Sequence, residues 1–472
     1  MKIEFNNTIA TVYCKDDIEK ERYHALRRSM QVLAPGAIFT PSYIEYKKSK
    51  GKRGWDGKAN ILAKSGSFPT GLVPNIVEKF YQHFKFVPTL RDIRNHPPNR
   101  YKETKVSLRE YQKETVDIGL NHTLYDGQLR WNRGVIEIGT GGGKTEISVA
   151  LFEKNPVKSL FIVNSKSLAA QAVTRFKKYN ITCGKLFTGY EELDKDITVA
   201  TIQTIHSKSS KLLPFLLSIE QVFFDECHAV ASSLAKGNTF FQVSAMLENA
   251  YFRWGLSATP FMKDQYSNWL LAGAAGSVLH SIPATDLIDM GYLVPPKIMI
   301  LEPPKISGCP RSFSPAYDAA IVMHRERNKM IIDQLKTCPK PAIVLVKRIA
   351  HLKILDRMTK EEQLSSVTLQ GEDDLKKRKR VLKSFGKTRD ILITSLFKEG
   401  FDFDEIKTVI IAEGGRSVIK TIQRVGRGMR IAQNKNEVII VDFNDTSCKV
   451  LKDHSRERIK IYEEQGFKVC LV

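Results

Sequence analysis

Apolar and polar residues alternate from Met1 to Tyr13 (Ile3, Phe5, then Ile9 and Val12), which predicts a strand. From Ile18 to Leu33 the spacing becomes helical, with Tyr23, Leu26, Met30 and Leu33 on one side. A turn at 68–74 precedes a short helix predicted for Asn75 to Phe84, and His96-Pro-Pro-Asn99 reads as a linker. Beyond it the pattern is regular. Short unbroken apolar runs recur at 135–138, 159–164, 197–205, 221–228 and 254–260, then at 342–346, 367–371, 390–394, 408–412 and 437–442. Helical spacing fills many of the gaps, including Leu108 to Asp117, Ile147 to Phe152, Ser165 to Phe176 and Lys376 to Phe385. Strands without alternation are buried on both faces, and strands that alternate with helices pair in parallel. The expected fold is therefore α/β, with two parallel-sheet domains in tandem after a small N-terminal α+β domain. The boundaries expected are 1–103, 104–285 and 286–472.

Composition narrows the partners. The 472 residues leave room for about three domains. Lys and Arg number 73 against 51 Asp and Glu, a net charge of +22 that favours a polyanion, nucleic acid first. The seven cysteines form no CxxC pair and no zinc-like spacing with histidine, so a reduced, cytoplasmic setting is expected. Residues 1–13 lack the charge and apolar run of a signal peptide, and no apolar run approaches membrane-spanning length.

The candidate chemistry centres on Gly134-Val-Ile-Glu-Ile-Gly-Thr-Gly-Gly-Gly-Lys-Thr-Glu146. A strand, a glycine-rich turn (Gly139, Thr140, Gly141, Gly142, Gly143), Lys144, Thr145 and a helix make up a phosphate grip. Backbone N–H groups and the helix N-terminus face the phosphates, Lys144 reaches the β- and γ-phosphates, and the Thr145 hydroxyl holds Mg²⁺. Ile138 stands where the strict pattern has its first Gly, so the loop is of a looser form. The run 221–228 delivers Asp225 and Glu226 to a strand end, where Asp225 would join the Mg²⁺ shell and Glu226 would orient or deprotonate water. Arg109 and Gln112, upstream of the loop, are placed to bond an adenine edge. Ser257 and Thr259 follow a strand and could report nucleotide state. Arg427 and Arg430, three apart, share a helix face and suit a γ-phosphate as arginine fingers.

Two basic stretches suggest nucleic-acid contacts. Tyr43 to Lys58 reads as a glycine-punctuated hairpin, with Lys47, Lys48, Lys50, Lys52, Arg53 and Lys58 toward phosphates. Trp55 either stacks on a base or packs into the core. The run 376–385 either touches DNA or is a solvated helix face.

Taken together, Gln112, 139–145, 165–171, 225–228, 257–259, 394–402 and 423–430 stand in the order of superfamily 2 helicase motifs. Within that superfamily the chain resembles phage UvsW-like recombination helicases, through 287–296, Gly54-Trp-Asp-Gly-Lys58, Phe68-Pro-Thr-Gly71 and the spacing His454, Arg458, Tyr462, Phe467. The resemblance implies two RecA-like domains, with ATP and Mg²⁺ as cofactors, and hydrolysis that drives movement along DNA and remodels forks and Holliday junctions. It implies Lys144 and Thr145 on phosphate and Mg²⁺, Asp225 on Mg²⁺ and Glu226 as the catalytic acid. It further implies Arg109 and Gln112 on adenine, Gly400 and Asp402 on the nucleotide side, and Arg427 and Arg430 as fingers. His228, Ser257 and Thr259, with Gln423, would couple hydrolysis to DNA. Branched DNA is the expected partner, and a monomer acting in the cytoplasm, a host's if phage-encoded, is the expected form. A double-stranded DNA translocase and an RNA helicase share the motifs. A non-catalytic scaffold is opposed by the intact Lys144, Asp225, Glu226, Arg427 and Arg430.

Overall fold

The computed structural model describes all residues except 98–101, 126, 232–238, 262–263, 397–403, 416, 418–423 and 427. The chain divides into two compact units, Met1–Ile138 with Gly143–Ser281, and Gly139–Gly142 with Ile282–Val472.

In the first unit, residues 1–13 form two strands, not one. Lys2–Phe5 and Ile9–Tyr13 pair antiparallel, Phe5 opposite Ala10, because Asn6 turns the chain: its Oδ1 accepts from the N–H groups of Thr8 and Ile9 at 2.8 Å each. Ser67–Pro69 and Thr89–Asp92 complete a four-stranded sheet. Two helices cover it, Asp17–Ser29, capped by Asp16, and Val73–Phe84. The first ends short of Leu33, since Val32–Leu33 pairs with Lys58–Ala59. Phe5, Phe68, Leu72 and Phe80 share one apolar core with Trp131 and with Leu270 and Ala272 of the helix Gln265–Ala275. Gly71 lies so close to that helix that a Cβ would stand 2.0 Å from the Ala272 carbonyl oxygen. Only glycine permits this approach, which accounts for the Phe68–Gly71 signature.

The basic stretch is not a hairpin. Pro41–Lys48 is a helix, with Thr40 accepting at its N-cap from the Tyr43 N–H and Pro41 in its first turn. Local capping chemistry outweighs the glycine punctuation, which serves instead to fold residues 49–58 back on the helix.

An eight-stranded sheet follows, in the spatial order Tyr190–Glu191, Gly184–Phe187, Ile197–Thr201, Ser159–Val163, Gln221–Asp225, Phe252–Ser257, Arg133–Ile138, Val278–Ile282. From Gly184–Phe187 through Arg133–Ile138 the pairings are parallel. The expected strand 197–205 stops at Thr201. Ile202–Ser207 is helical and buries Ile202 and Ile205, whose spacing of three suits one helix face.

The second unit carries a seven-stranded parallel sheet in the order Ser366–Leu369, Ile391–Thr394, Ala342–Leu345, Thr408–Ile411, Val438–Phe443, Pro296–Leu301, Lys468–Leu471. Helices Arg325–Thr337 and Ile349–Glu361 share its core, and Lys449–Glu464 packs against the strand Lys468–Leu471. The basic run 376–385 is a helix, Leu375–Ser384. Among the described residues no helix is long and apolar enough to cross a membrane.

Candidate active site

Three neighbouring strands set the site. Gln221–Asp225, Phe252–Ser257 and Arg133–Ile138 run parallel and side by side, with Asp225 beside Leu256 and Ser257 beside Glu137. Parallel neighbours put their carboxyl ends on one edge, where α/β sheets place ligands. There the strand from Arg133 turns through the glycine loop. Gly141 and Gly143 take left-handed φ of 92° and 81°, and the Gly142 N–H donates to the Gly139 carbonyl at 3.0 Å. Gly143 is the N-cap of helix Lys144–Lys154, so the loop opens onto a helix N-terminus as a phosphate grip requires. A Cβ on Gly143 would fall 2.2 Å from Gln112 Nε2, a second demand for glycine there. Gln112 is buried, and its Oε1 accepts from the Arg109 backbone N–H at 2.9 Å, closing the start of helix Glu110–Asn121. Arg109 is exposed, with Nη1 donating to the Tyr111 hydroxyl at 3.2 Å.

Lys144 Nζ donates to the Ile138 carbonyl at 3.2 Å, folded over its own loop. Burial, with the Glu226 carboxylate next in line, raises Asp225 to about 7, while Lys144 and Arg175 pull the other way. A divalent cation beside Asp225 would favour its charged form. With the Thr145 hydroxyl and the loop N–H groups alongside, the residues fit a magnesium-bound triphosphate. Glu226 itself takes a left-handed φ of 49°. A non-glycine residue held there costs about 1 kcal/mol, a strain found at functional positions. It faces His228, whose Nδ1 lies 3.3 Å from Glu226 Oε2 and 3.1 Å from Ser257 Oγ. Ser257 Oγ accepts from the Thr259 N–H at 3.1 Å. Glu226, His228, Ser257 and Thr259 are thus one connected chain of polar contacts, and the structure brings together residues up to 33 positions apart, through the His228–Ser257 contact between positions 29 apart.

In the second unit Arg430 stands in an extended bridge to Leu293, so the expected helix does not extend to it. Its Nη1 lies 3.1 Å from Asp404 Oδ1, and Lys435 Nζ donates to the Arg430 carbonyl at 2.8 Å. Gly400, Asp402, Gln423 and Arg427 lie outside the described residues.

Two family models match the chain: "Type III restriction enzyme, res subunit" over residues 105–262, and "Helicase conserved C-terminal domain" over 326–432. A protein of a Sulfolobus islandicus filamentous virus, named as a helicase, is 28% identical over 71% of this chain, and the match spans 64% of that protein's own length. The ATP-dependent DNA helicase uvsW of Enterobacteria phage T4 is 23% identical over 96% of each chain. Among solved structures, the ATP-dependent Type ISP restriction-modification enzyme LlaBIII bound to DNA matches with a TM-score of 0.58 at 16% identity, covering 79% of this chain and 32% of that one. The chain belongs to the superfamily 2 helicases.

One residue of this superfamily 2 helicase escaped the motif reading. Arg175, on helix Lys166–Lys178, donates from Nη1 to the Thr145 hydroxyl at 3.0 Å and acts electrostatically on Asp225. Its signal was available: Arg175 lies one turn beyond Gln171 and shares its face. Lys47 and Lys48 at the helix end, and Lys50, Lys52, Arg53 and Lys58 in the loop after it, are exposed. Trp55 is neither free nor core. It is 38% exposed, and its indole N–H donates to the Lys58 carbonyl at 3.1 Å.

Proposed function

We propose that this helicase couples ATP hydrolysis to movement along DNA and remodels branched DNA such as forks and four-way junctions. The observation that supports it most is the meeting, on one sheet edge, of the Lys144–Thr145 loop, the Asp225–Glu226 pair and the polar chain to Thr259. Lys144 and the loop N–H groups hold the β- and γ-phosphates, with Gly139, Thr140, Gly141, Gly142 and Gly143 allowing their approach. Thr145 and Asp225 hold Mg²⁺, which when bound supplies the positive charge that offsets charge on the transferred phosphoryl group. Glu226 orients the attacking water and accepts its proton. Arg109 and Gln112 bond the adenine. Arg427 and Arg430 answer the γ-phosphate charge, and Gly400 and Asp402 face the nucleotide. His228, Ser257 and Thr259, with Gln423, carry the state of Glu226 to the DNA grip. Lys47, Lys48, Lys50, Lys52, Arg53 and Lys58 hold strand phosphates, while Trp55 shapes their loop. Such a grip is sequence-tolerant and weakens steeply with salt. The protein acts as a cytoplasmic monomer.

The test is strand separation on a plain duplex, a fork and a four-way junction, in DNA and in RNA, with stimulated ATPase recorded alongside. Activity concentrated on DNA forks and junctions is expected. Lys144→Ala abolishes turnover and leaves DNA binding intact; retained turnover refutes the site. The match to a restriction-enzyme model favours one second reading, a duplex translocase. Strong ATPase on plain duplex without strand separation would select it.

A further inference from the structure

Five of the exposed large apolar residues of the N-terminal region fall within one short stretch. Leu33, Ile38, Phe39, Ile44 and Trp55 all stand exposed between positions 33 and 55, and Phe39 is 80% exposed. Single exposed apolar side chains are ordinary on any protein surface. Five in one small lobe, beside six basic and two acidic residues between Leu33 and Lys58, are not.

The backbone presents Phe39 firmly. Gly36, left-handed at φ 74°, opens a single 3₁₀ turn, Ala37–Phe39. The Phe39 N–H donates to the Gly36 carbonyl at 3.1 Å and the Thr40 N–H to the Ala37 carbonyl at 2.9 Å. Thr40 Oγ1 donates to the Ala37 carbonyl at 2.8 Å while capping the next helix. Ala37 is the buried anchor of this turn, so Ile38 and Phe39 point to solvent. The basic loop then folds back to the same end of the helix Pro41–Lys48. The Trp55 N–H donates to Ser42 Oγ at 2.9 Å, and Gly57 packs against Tyr43 and Leu33. Eight helical residues span about 12 Å, so Lys47 and Lys48 lie within a few phosphate spacings of Phe39.

We propose that Phe39, with Ile38 beside it, is a stacking platform for unpaired bases, and that Lys47, Lys48, Lys50, Lys52 and Arg53 hold the phosphates of the same strand. This rests on the DNA-remodelling reading and adds the feature that reading lacks, a side chain able to distinguish unpaired from paired strands. An exposed apolar ring on a lobe rich in cations matches a single strand, whose bases offer π faces and whose backbone is anionic. A plain duplex hides those faces and is met by the lysines alone.

The experiment measures affinity of the full chain for single-stranded, forked and plain duplex DNA by fluorescence anisotropy over a salt series, with Phe39→Ala, Phe39→Trp and the fivefold lysine and arginine replacement. Phe39→Ala is expected to weaken single-strand and fork binding about tenfold, with plain-duplex affinity, salt slope and DNA-free ATPase unchanged, and Phe39→Trp to restore it. The basic replacement should reduce the salt slope on every substrate. Equal loss on plain duplex, no loss on single strands, or a Phe39-dependent self-association overturns the proposal while leaving the ATPase reading standing. A parent chain whose ATPase no nucleic acid stimulates overturns both.

Discussion

Among the described residues, each α/β unit buries two arginines completely, and the two units keep them in opposite ways. In the first, Arg133 donates to the carbonyls of Asn7 and Ala274 at 3.1 Å each, and its Nε has no hydrogen-bond partner among the described residues. Arg253 donates to the carbonyls of Ala250, Ser244, Ala274 and Leu247 and to the Ser244 hydroxyl. Among the described residues no carboxylate pairs with either. Burial pushes Arg253 down to about 9, and burial and then the neighbouring Arg253 push Arg133 well below its usual range. In the second unit, Arg327 meets Asp445 at 2.7 Å and Arg458 meets Asp442 at 2.8 Å. Burial opposes the charge on Arg458, yet Asp442 holds it above its usual value. The first pair staples backbone segments: Arg133 ties the start of the phosphate-loop strand to the N-terminal sheet and to helix Gln265–Ala275. The second pair depends on charge. A mutation that removes a staple loses hydrogen bonds, whereas one that removes a counter-ion strands a buried charge.

The sharpest break of this contrast is Asp442→Asn, which should cost about 3–5 kcal/mol in urea unfolding because Arg458 loses its counter-charge and one of the two acceptor oxygens that it and Tyr462 use. Arg458→Met with Asp442→Leu should recover most of that loss. Recovery failing would mean the pair contributes more than its mutual neutralisation.

A titration in the second unit is next in size. His351 is buried, with Nε2 2.8 Å from Asn328 Oδ1, and burial followed by the charge on Arg327 pushes it down to about 3. An unfolded imidazole titrates near 6.5, so below that pH the unfolded chain takes a proton that the folded one refuses. Stability is therefore lost as pH falls from about 6.5 toward 3, by about 2 kcal/mol at pH 5. His351→Gln should flatten the urea-midpoint profile between pH 7 and 5; an unchanged slope would assign the effect elsewhere.

Arg133→Met should cost only about 1 kcal/mol, the loss of neutral acceptors without a stranded charge. If it destabilises as much as Asp442→Asn, the contrast between the units fails. Arg175→Gln should move stability least, within about 0.5 kcal/mol, since it gives up a hydrogen bond to a half-buried hydroxyl without stranding a buried charge. It should nonetheless raise the KM for magnesium nucleotide, and an unchanged KM would confine Arg175 to a packing role.

Much of the fold was legible because its signals are local. Unbroken apolar runs located ten strands of the two sheets, with 197–205, 221–228 and 254–260 overrunning by three or four residues, while Gly184–Phe187, Tyr190–Glu191, Val278–Ile282, Pro296–Leu301 and Lys468–Leu471 were missed; the glycine loop, Lys144, Thr145 and the Asp225–Glu226 pair announced themselves by spacing. The errors were local competitions: Asn6 splitting the first strand, Ile202 and Ile205 starting a helix inside a strand-like run, Thr40 and Pro41 turning an expected hairpin into a helix. The spacing of Arg458 and Tyr462, a bare signature in one dimension, proved to be two side chains one turn apart gripping Asp442.

The sequence alone determined the parallel α/β class, the order of the motifs and the residues able to hold a triphosphate, because backbone propensity and glycine chemistry act over a few residues. Tertiary structure alone decided that Arg175 reaches Thr145, that Arg133 spans 126 positions to Asn7, that Glu226 joins Thr259 through His228 and Ser257, and that Phe39 faces solvent. Those facts depend on which strands become neighbours and what each side chain must satisfy once water is gone. Neither is written in the spacing of residues along the chain.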